Sequence, residues 1–278
     1  MRWLGWLLAL ILVVVAAWLP TTMHRPELEL TDTTTLVSLE LPKIPMVTEV
    51  PDFSVYMDVN EKKKAFFGFL APLVQLENSI IERERNFVLA VQEKLRRGQS
   101  VPSKQMKQLH ALAKRYQVDL DSDNMEESFK VLLRRVDVVP ETLVLVQAAN
   151  ESGWGTSRFA REGLNLFGQW CFSNGCGLVP DARRDGMNHE VRKFPSVNAS
   201  VRSYLRNINT HPAYFELRRL REAKRASGAD LRAIDLTPGL LSYSERGEDY
   251  VHELNAMIRV NRPIIVDMLQ ANSDSAPE

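Results

Sequence analysis

The residues best suited to chemistry surround Glu151, in the run from Gln147 to Trp170, QAANESGWGTSRFAREGLNLFGQW. The pattern from Val138 to Ala149 predicts a helix whose C-terminus carries Glu151. The negative end of the helix dipole and apolar neighbours both favour the protonated carboxyl group, so they raise its pKa. A carboxylic acid that keeps its proton near neutral pH is the group needed to protonate the leaving oxygen of a glycosidic bond.

The residues after Glu151 predict how it is positioned. Gly153 and Gly155 allow a backbone turn that other residues resist. Thr156 or Ser157 is suited to cap a second helix that follows directly. We therefore expect Glu151 in a notch between two helices. The pattern alone leaves open the alternative of a solvated glutamate at a helix end.

The motif ESGWGTS, which begins at Glu151, is followed by Asn165-Leu166-Phe167-Gly168. Together they resemble the signature of the bacterial endo-β-N-acetylglucosaminidases, the peptidoglycan hydrolases of glycoside hydrolase family 73. The resemblance covers about residues 127–269, and NLFGQWCFSNGCGLVP is similar to one Gram-negative group within the family. It implies a mainly α, α+β fold, in which a lysozyme-like helical domain carries a small β-hairpin lobe after an N-terminal helical extension. It also implies a peptidoglycan glycan strand as substrate and Glu151 as the catalytic acid.

A hairpin is predicted around Asp185-Gly186, with strands from Gly177 to Arg184 and from Met187 to Phe194. This register places Asp181 opposite Glu190, and like charges so placed need a shared proton, a nearby arginine or a functional purpose. An arginine-neutralised surface ladder remains the alternative. The family resemblance implies a second acidic residue on the hairpin, and we favour Glu190 over Asp181 for it.

Cys171 and Cys176 are the only cysteines, with four residues between them in a loop after the NLFG motif. In an oxidising compartment they are expected to form a disulfide beside Glu151, with two free thiols as the alternative. No matching Cys or His pair accompanies them, so the sequence implies no metal and no cofactor.

The residues predicted to bind substrate are Trp154, Asn165, Phe167, Trp170, Tyr243 and Tyr250. The aromatic faces at Trp154, Phe167 and Trp170 suit stacking against a sugar ring. The resemblance implies a tyrosine near the catalytic glutamate, and we rank Tyr243 before Tyr250. A buried core position is the alternative for Trp154 and for both tyrosines.

The N-terminal sequence predicts a location outside the cytoplasm. Arg2 precedes an uncharged apolar run from Trp3 to Leu19, which would span about 26 Å of a bilayer core about 30 Å thick. Residues 1–20 are thus a signal peptide or a membrane anchor, and tryptophans at both ends favour an anchor in the inner membrane. We expect the rest of the protein in the periplasm.

The remaining chain divides into an extended linker (21–60), a helical extension (61–120), the catalytic domain (121–272) and a disordered tail (273–278). Lys+Arg and Asp+Glu are both 35, so the net charge gives no reason to expect nucleic-acid binding. The basic run from Arg218 to Arg225 is interpreted as a solvated helix face, with contact to an anionic wall polymer or lipid as the alternative. Nothing in the sequence indicates the oligomeric state.

The function favoured by these features is cleavage of β-1,4 bonds next to N-acetylglucosamine in peptidoglycan. Two alternatives remain: a lytic transglycosylase or muramidase, which also uses one acidic glutamate after a helix, and a membrane-tethered wall-binding protein without turnover. The hairpin sequence, which departs from that usual in the family, keeps the second alternative open.

Overall fold

The computed structural model describes residues 46–181, 183, 186 and 188–274, with side chains through residue 269. The predicted signal or anchor, the first part of the predicted linker and the last residues of the predicted tail lie outside this range. Within the described range, no helix is long and apolar enough to cross a membrane. The described residues belong to one compact unit.

The fold is mainly helical. The helices are α1 (Val59–Arg96), α2 (Ser103–Arg115), α3 (Met125–Arg135), α4 (Glu141–Ser152), α5 (Arg158–Gly163), α6 (Val197–Thr210), α7 (Phe215–Ala226), α8 (Ala233–Leu236) and α9 (Glu248–Asp274). Short 3₁₀ turns cover Phe53–Val55, Ser122–Asn124, Pro212–Tyr214 and Thr237–Leu240. The strands are β1 (Trp170–Cys171), β2 (Gly177–Leu178) and β3 (Glu190–Arg192). This confirms the predicted fold class, mainly α with a small antiparallel sheet.

The long helix α1 belongs to the core of the folded unit. Its start is capped by Asp58, whose carboxylate accepts hydrogen bonds from the N–H groups of Asn60 and Glu61. Its apolar face, which includes Phe66, Phe67, Leu70 and Val74, is buried in the same cluster as the apolar residues of α4, α6 and α9. The predicted helical extension therefore packs on the helices of the predicted catalytic domain and shares their core.

Ion pairs between helices reinforce this packing. Glu77 of α1 is buried and accepts two hydrogen bonds from Arg202 of α6, at 2.9 and 2.7 Å. Glu84, also buried, accepts one from Arg115 of α2 and one from the hydroxyl of Tyr116. A buried carboxylate is tolerated when such partners satisfy it, so these contacts set the rotation of α1 against its neighbours.

The segment before α1 is docked on the domain. The backbone N–H of Val47 donates to Oδ1 of Asn198 at 3.0 Å, and the N–H of Val197 donates to the carbonyl of Val47 at 2.8 Å. Phe53 is buried and meets Phe66 edge to face, with ring centroids 5.4 Å apart. The part of the predicted linker that follows Val47 is therefore packed on the folded unit.

The interpretation of the basic run 218–225 as a solvated face is wrong for Arg218 and Arg221, whereas Arg219 and Arg225 are exposed. Arg218 and Arg221 of α7 are buried. The guanidinium of Arg218 donates to the carbonyls of Ile208 and His211, and Arg221 donates to three carbonyls between residues 134 and 138. These arginines satisfy carbonyl groups at the ends of neighbouring helices, which have no partner within their own helix.

The sheet has the order β1-β3-β2, with both pairs antiparallel. Gly177 lies opposite Arg192, and Leu178 lies opposite Val191, whereas a turn centred on Asp185-Gly186 would pair Gly177 with Phe194. The predicted register is thus wrong by two residues. The opposition of Asp181 and Glu190 is wrong with it, because β2 ends at Leu178 and a long loop leads to β3.

Candidate active site

Glu151 lies in the last turn of α4, as predicted. Three successive residues after that helix have positive φ: Gly153 at 58°, Trp154 at 60° and Gly155 at 76°. Such a run reverses the chain abruptly, and it is costly for the non-glycine residue. The hydroxyl of Ser157 then accepts a hydrogen bond from the N–H of Ala160 and caps α5. Glu151 thus lies next to the turn that joins two helices, as predicted.

Gly155 is required by packing as well as by its φ angle. A Cβ at this position would lie 2.6 Å from Cδ2 of Phe53, closer than any side chain tolerates. The segment that precedes α1 therefore presses directly on the turn that follows Glu151. This contact braces the motif from the side opposite the chain reversal.

The carboxyl group of Glu151 lines an open groove of about 550 Å³. The other walls come from residues 167–170, residues 243–246, Asn207 and Tyr214. Phe167, Trp170 and Tyr243, three of the residues predicted to bind substrate, are thus brought to the same groove as Glu151. The groove is large enough for sugar units of a polymer, and its open shape suits a chain that continues past the site.

The two oxygens of Glu151 have different surroundings. Oε1 accepts a hydrogen bond from the hydroxyl of Tyr250 at 2.9 Å and a long one from the amide of Asn150 at 3.5 Å. Oε2 lies beside Gly168, where a Cβ would stand 3.6 Å from it. Gly168 also lines the groove. The oxygen that lacks a hydrogen-bond donor among the described residues is therefore the one next to a glycine of the groove wall.

The pKa of Glu151 is raised above its usual value, mainly because burial penalises the charged form. The hydrogen bonds from Tyr250 and Asn150 lower this pKa, and the nearby Glu253 raises it. The predicted direction is confirmed, with burial as the first cause. A carboxyl group so placed retains its proton to higher pH than an exposed glutamate.

Two tyrosines stack against each other beside Glu151. The rings of Tyr243 and Tyr250 lie nearly parallel, with centroids 5.5 Å apart. Tyr243 donates its hydroxyl hydrogen to the carbonyl of Phe167 at 3.0 Å and lines the groove. Tyr250, and not Tyr243, donates the hydrogen bond to Glu151. The predicted ranking of Tyr243 before Tyr250 is therefore wrong for this contact.

Sequence reasoning missed two polar residues behind Glu151. Gln147 is buried one turn before Glu151 and donates from Nε2 to the hydroxyl of Tyr250 at 2.9 Å. The hydroxyl of Tyr204 donates to Oε1 of Gln147 at 2.5 Å. The signal that points to them is a polar residue on the apolar face of a helix, since a buried amide requires partners.

Trp170 is the most accessible aromatic residue of the groove, with 52% of its surface exposed. One face of its indole is stacked on His189, with centroids 4.4 Å apart and planes 13° from parallel. The opposite face remains for a ligand. Phe167, in contrast, is buried and stacks on Tyr204 at 4.1 Å, so it forms the floor of the groove.

Trp154 and Asn165 serve the fold. The indole of Trp154 packs edge to face against Phe66 and Phe67, at 5.8 and 5.3 Å, and it is absent from the described lining of the groove. Asn165 is buried; its amide donates to two carbonyls, and its oxygen accepts from the N–H groups of Phe167 and Gln169. Neither position matches the predicted contact with substrate, but Asn165 fixes the loop that carries Phe167 and Trp170.

The predicted disulfide between Cys171 and Cys176 is present. Glu190 holds the loop that it closes, because its buried carboxylate accepts hydrogen bonds from the N–H groups of Gly175 at 2.9 Å and Gly177 at 2.7 Å. These bonds lower the pKa of Glu190. Glu190 thus stabilises the lobe that bears Trp170, and it is not among the described residues that line the groove.

Asp181, the other hairpin acid, lies at the surface with 91% of its side chain exposed. It pairs with Arg158 at 3.1 Å, at the start of α5. The described lining of the groove contains neither hairpin carboxylate. Its second carboxylate is Glu245, an exposed residue that sequence reasoning did not single out.

One group of metal-ligand side chains is found in the described range: atoms of Cys171, Cys176 and Glu190 lie within 4.8 Å of one another. Both sulfurs are joined to each other, and the carboxylate is engaged by backbone N–H groups. Their bonding is therefore that of a cross-linked loop.

Comparison with known proteins agrees with this geometry. Residues 126–262, from α3 to α9, match the glucosaminidase family model, which is described as mannosyl-glycoprotein endo-beta-N-acetylglucosaminidase. The chain belongs to this family of glycosidases. The family match includes Glu151, the turn after it and both tyrosines beside it.

Within the family, the chain is similar to Protein bax of Escherichia coli strain K12. The two are 35% identical over 218 residues, which cover 78% of this chain and 76% of the relative. This confirms the group that the run NLFGQWCFSNGCGLVP indicated. No solved structure matches the chain at a significant level.

Proposed function

We propose that this protein hydrolyses peptidoglycan at β-1,4 bonds next to N-acetylglucosamine, with Glu151 as general acid. The observation that carries the proposal is the position of Glu151, a partly buried carboxyl with a raised pKa in the wall of an open groove. Membership of a glucosaminidase family supports a glycan as the substrate.

In the first step, Glu151 donates its proton to the bridging oxygen, and positive charge develops on the sugar ring as the bond breaks. The raised pKa keeps the acid loaded at the pH of the reaction. The free indole face of Trp170 is suited to stack on a sugar ring. Phe167 and Tyr243 shape the floor and one wall of the groove near the acid.

The nucleophile best supported by this arrangement is the acetamido group of the substrate, whose oxygen attacks the anomeric carbon as the glycosidic bond breaks. In the second step water attacks the same carbon and opens the oxazolinium ring, and the ionised Glu151 takes the proton of the water. Glu190 is occupied by two backbone N–H groups, and Asp181 is paired with Arg158 at the surface. An inverting mechanism would instead need a base about 6.5–9.5 Å from the acid to activate water. Besides Glu151, Glu245 is the carboxylate in the described lining of the groove. The variant Glu245→Gln tests whether it acts as this base.

The proposed site of action is the periplasm, with the chain anchored to the inner membrane through residues 1–20. The apolar run from Trp3 to Leu19 and the disulfide between Cys171 and Cys176 support this location. Protease protection of the folded domain in spheroplasts would contradict it, whereas digestion in spheroplasts is expected.

Product analysis tests the reaction. Purified peptidoglycan is digested with the full-length protein in detergent, with Glu151→Gln as blank, and the soluble fragments are analysed by mass spectrometry after borohydride reduction. We expect reduced N-acetylglucosamine ends. Reduced N-acetylmuramic acid ends would identify a muramidase, and anhydro ends a lytic transglycosylase. Binding to peptidoglycan without released fragments would identify a non-catalytic wall-binding protein.

A further inference from the structure

Three hydrogen bonds link Tyr204, Gln147, Tyr250 and Glu151 into one buried chain. Tyr204 donates to Gln147, Gln147 donates to Tyr250, and Tyr250 donates to Oε1 of Glu151, at 2.5, 2.9 and 2.9 Å. Gln147 is fully buried. It therefore acts on Glu151 through Tyr250, the tyrosine to which it donates.

The direction of this chain restricts what Tyr250 can do. An amide nitrogen only donates, so Gln147 supplies a hydrogen to the hydroxyl oxygen of Tyr250. That hydroxyl has a single hydrogen of its own, and among the described residues Oε1 of Glu151 is its acceptor. If Oε1 carried the proton of the acid, the hydrogen of Tyr250 would be left buried without an acceptor, which is costly.

We propose that Gln147 is a positioning residue that, through Tyr250, assigns the transferable proton of Glu151 to Oε2. This inference rests on the proposed function of Glu151 as proton donor. Oε2 is the oxygen beside Gly168 in the groove wall. The hydrogen-bond chain thus keeps the proton on the side where a glycosidic oxygen can reach it.

Loss of the amide would remove this restriction. In Gln147→Met the amide donor is gone, so the Tyr250 hydroxyl can turn its hydrogen toward the methionine sulfur, a weak acceptor, and accept a hydrogen bond from Oε1. The protonated acid can then hold its proton away from the groove. The same turn removes a donor from the carboxylate, and the Tyr250 bond is one that lowers the pKa of Glu151. The pKa of Glu151 therefore rises in the variant while proton transfer slows.

The charged and titratable groups facing Glu151 stay the same in this experiment. They are Tyr204, Tyr214, Tyr243, Tyr250, Glu245, Arg246 and Glu253. Burial raises the pKa of each of the four tyrosines, so they remain protonated in the acid to neutral range. Arg246 and Glu253 are paired at 2.6 Å, and neither contacts Gln147 in the described structure.

The test compares full-length wild type, Gln147→Met and Gln147→Glu in peptidoglycan turnover across pH. For Gln147→Met we expect kcat to fall at least about tenfold with KM unchanged, because misdirection of a reacting group is costly whereas binding is not affected. The basic limb of its pH profile should move upward. Wild-type kcat and an unshifted limb would overturn the proposal.

Gln147→Glu is the conservative rescue. While protonated, the introduced carboxyl accepts from Tyr204 and donates to Tyr250, as the amide does. Once ionised it can only accept, so Tyr250 turns toward it and away from Glu151. We expect activity well above that of Gln147→Met at low pH, lost as pH rises. Activity no better than that of a folded Gln147→Met at low pH would overturn the proposal. If Gln147→Met does not fold, the pH profile of Gln147→Glu alone decides, and activity that does not fall as the introduced carboxyl ionises would overturn the proposal.

A matched control separates positioning from stability. Asn78 is buried in α1 and donates to the carbonyl of Val139 and to Glu141, at the far end of α4 from Glu151. Asn78→Leu should lower the melting temperature with no shift of the pH profile. An equal shift in Asn78→Leu would show a general effect of destabilisation and overturn the proposal.

A readout without turnover separates this inference from the proposed function. NMR titration of ¹³C-labelled glutamate side chains, with Glu151 assigned by its loss in Glu151→Gln, gives the pKa of Glu151 directly. An upward shift in Gln147→Met supports the positioning role even if wild type cleaves no peptidoglycan, and an unchanged pKa rejects it even if wild type is active.

Discussion

Gly168→Ala tests whether the space beside Oε2 of Glu151 is needed for reaction. Gly168 has φ +63°, and the added methyl group would stand 3.6 Å from Oε2, an ordinary van der Waals contact. The left-handed backbone costs alanine about 1–2 kcal/mol, and the lower entropy of the unfolded chain returns about 0.4–1 kcal/mol. The net loss of stability is about 1 kcal/mol, so the variant folds.

The effect on turnover should be much larger than the effect on stability. Proton transfer needs the acceptor oxygen about 2.6–3.2 Å from the donor oxygen. The methyl group occupies space next to Oε2 in the wall that the substrate must contact. A displacement of the reacting oxygen by about 1 Å costs about a hundredfold in rate. We therefore expect kcat to fall about a hundredfold.

The assay is release of reducing ends from purified peptidoglycan, with a melting curve for each protein. Gly228→Ala is the matched control, because Gly228 has φ +65° and nothing stands within 4 Å of the added methyl group. Both variants should lose about 2–4 °C in melting temperature, but only Gly168→Ala should lose turnover. Equal turnover in the two variants would refute the assignment of Oε2 as the reacting atom.

Three further predictions concern the same groove. Trp170→Ala should raise KM for glycan fragments with little change in kcat, since it removes a stacking face; an unchanged KM in steady-state kinetics would contradict a role in binding. Glu190→Gln should lower the melting temperature, because a neutral amide accepts more weakly from Gly175 and Gly177, whereas Asp181→Asn should melt as wild type does. Turnover should fall with rising pH at a pKa above the usual glutamate value of 4.5. Between 4.5 and the raised pKa of the folded state, wild type should lose stability as pH rises, because the folded state binds the proton of Glu151 more tightly than the unfolded state. Glu151→Gln should not show this loss. A limb at or below 4.5, or parallel pH–stability curves, would contradict this.

Local features of the site were predictable from sequence because local rules set them. A helix end, a glycine pair and a capping serine suffice to place Glu151 in its notch. The disulfide followed from two nearby cysteines in a chain whose N-terminal sequence predicts export. The raised pKa of Glu151 followed from its apolar neighbours, which the sequence displays directly.

Long-range features were not predictable in the same way. The register of β2 on β3 is set by the disulfide loop and by Glu190, whose carboxylate binds Gly175 and Gly177 from the neighbouring strand. A two-residue turn signal carries no information about these contacts. The burial of Arg221 was likewise not predictable. Its guanidinium is buried because it donates to carbonyls at the end of α3 and in the α3–α4 connection, although the sequence of its own helix is strongly charged.

Which of Tyr243 and Tyr250 contacts Glu151 was also not predictable from the sequence. Both follow the same turn, and both rings stack together. Tyr250, in the first turns of α9, donates its hydroxyl hydrogen to Glu151, whereas Tyr243, which precedes α9, donates to the carbonyl of Phe167. A tyrosine in an apolar pattern predicts a buried ring whose hydroxyl group has a hydrogen-bond partner, but the sequence does not identify that partner.

The most direct test of the central claim is the rate at which Glu151→Gln releases fragments from purified peptidoglycan. The amide keeps the shape of the side chain but holds no transferable proton, and removal of such an acid costs about a hundredfold to ten-thousandfold. The claim predicts a variant that melts at or above the wild-type temperature near neutral pH and releases fragments at least about a hundredfold more slowly. Release at the wild-type rate by a folded Glu151→Gln protein would contradict it.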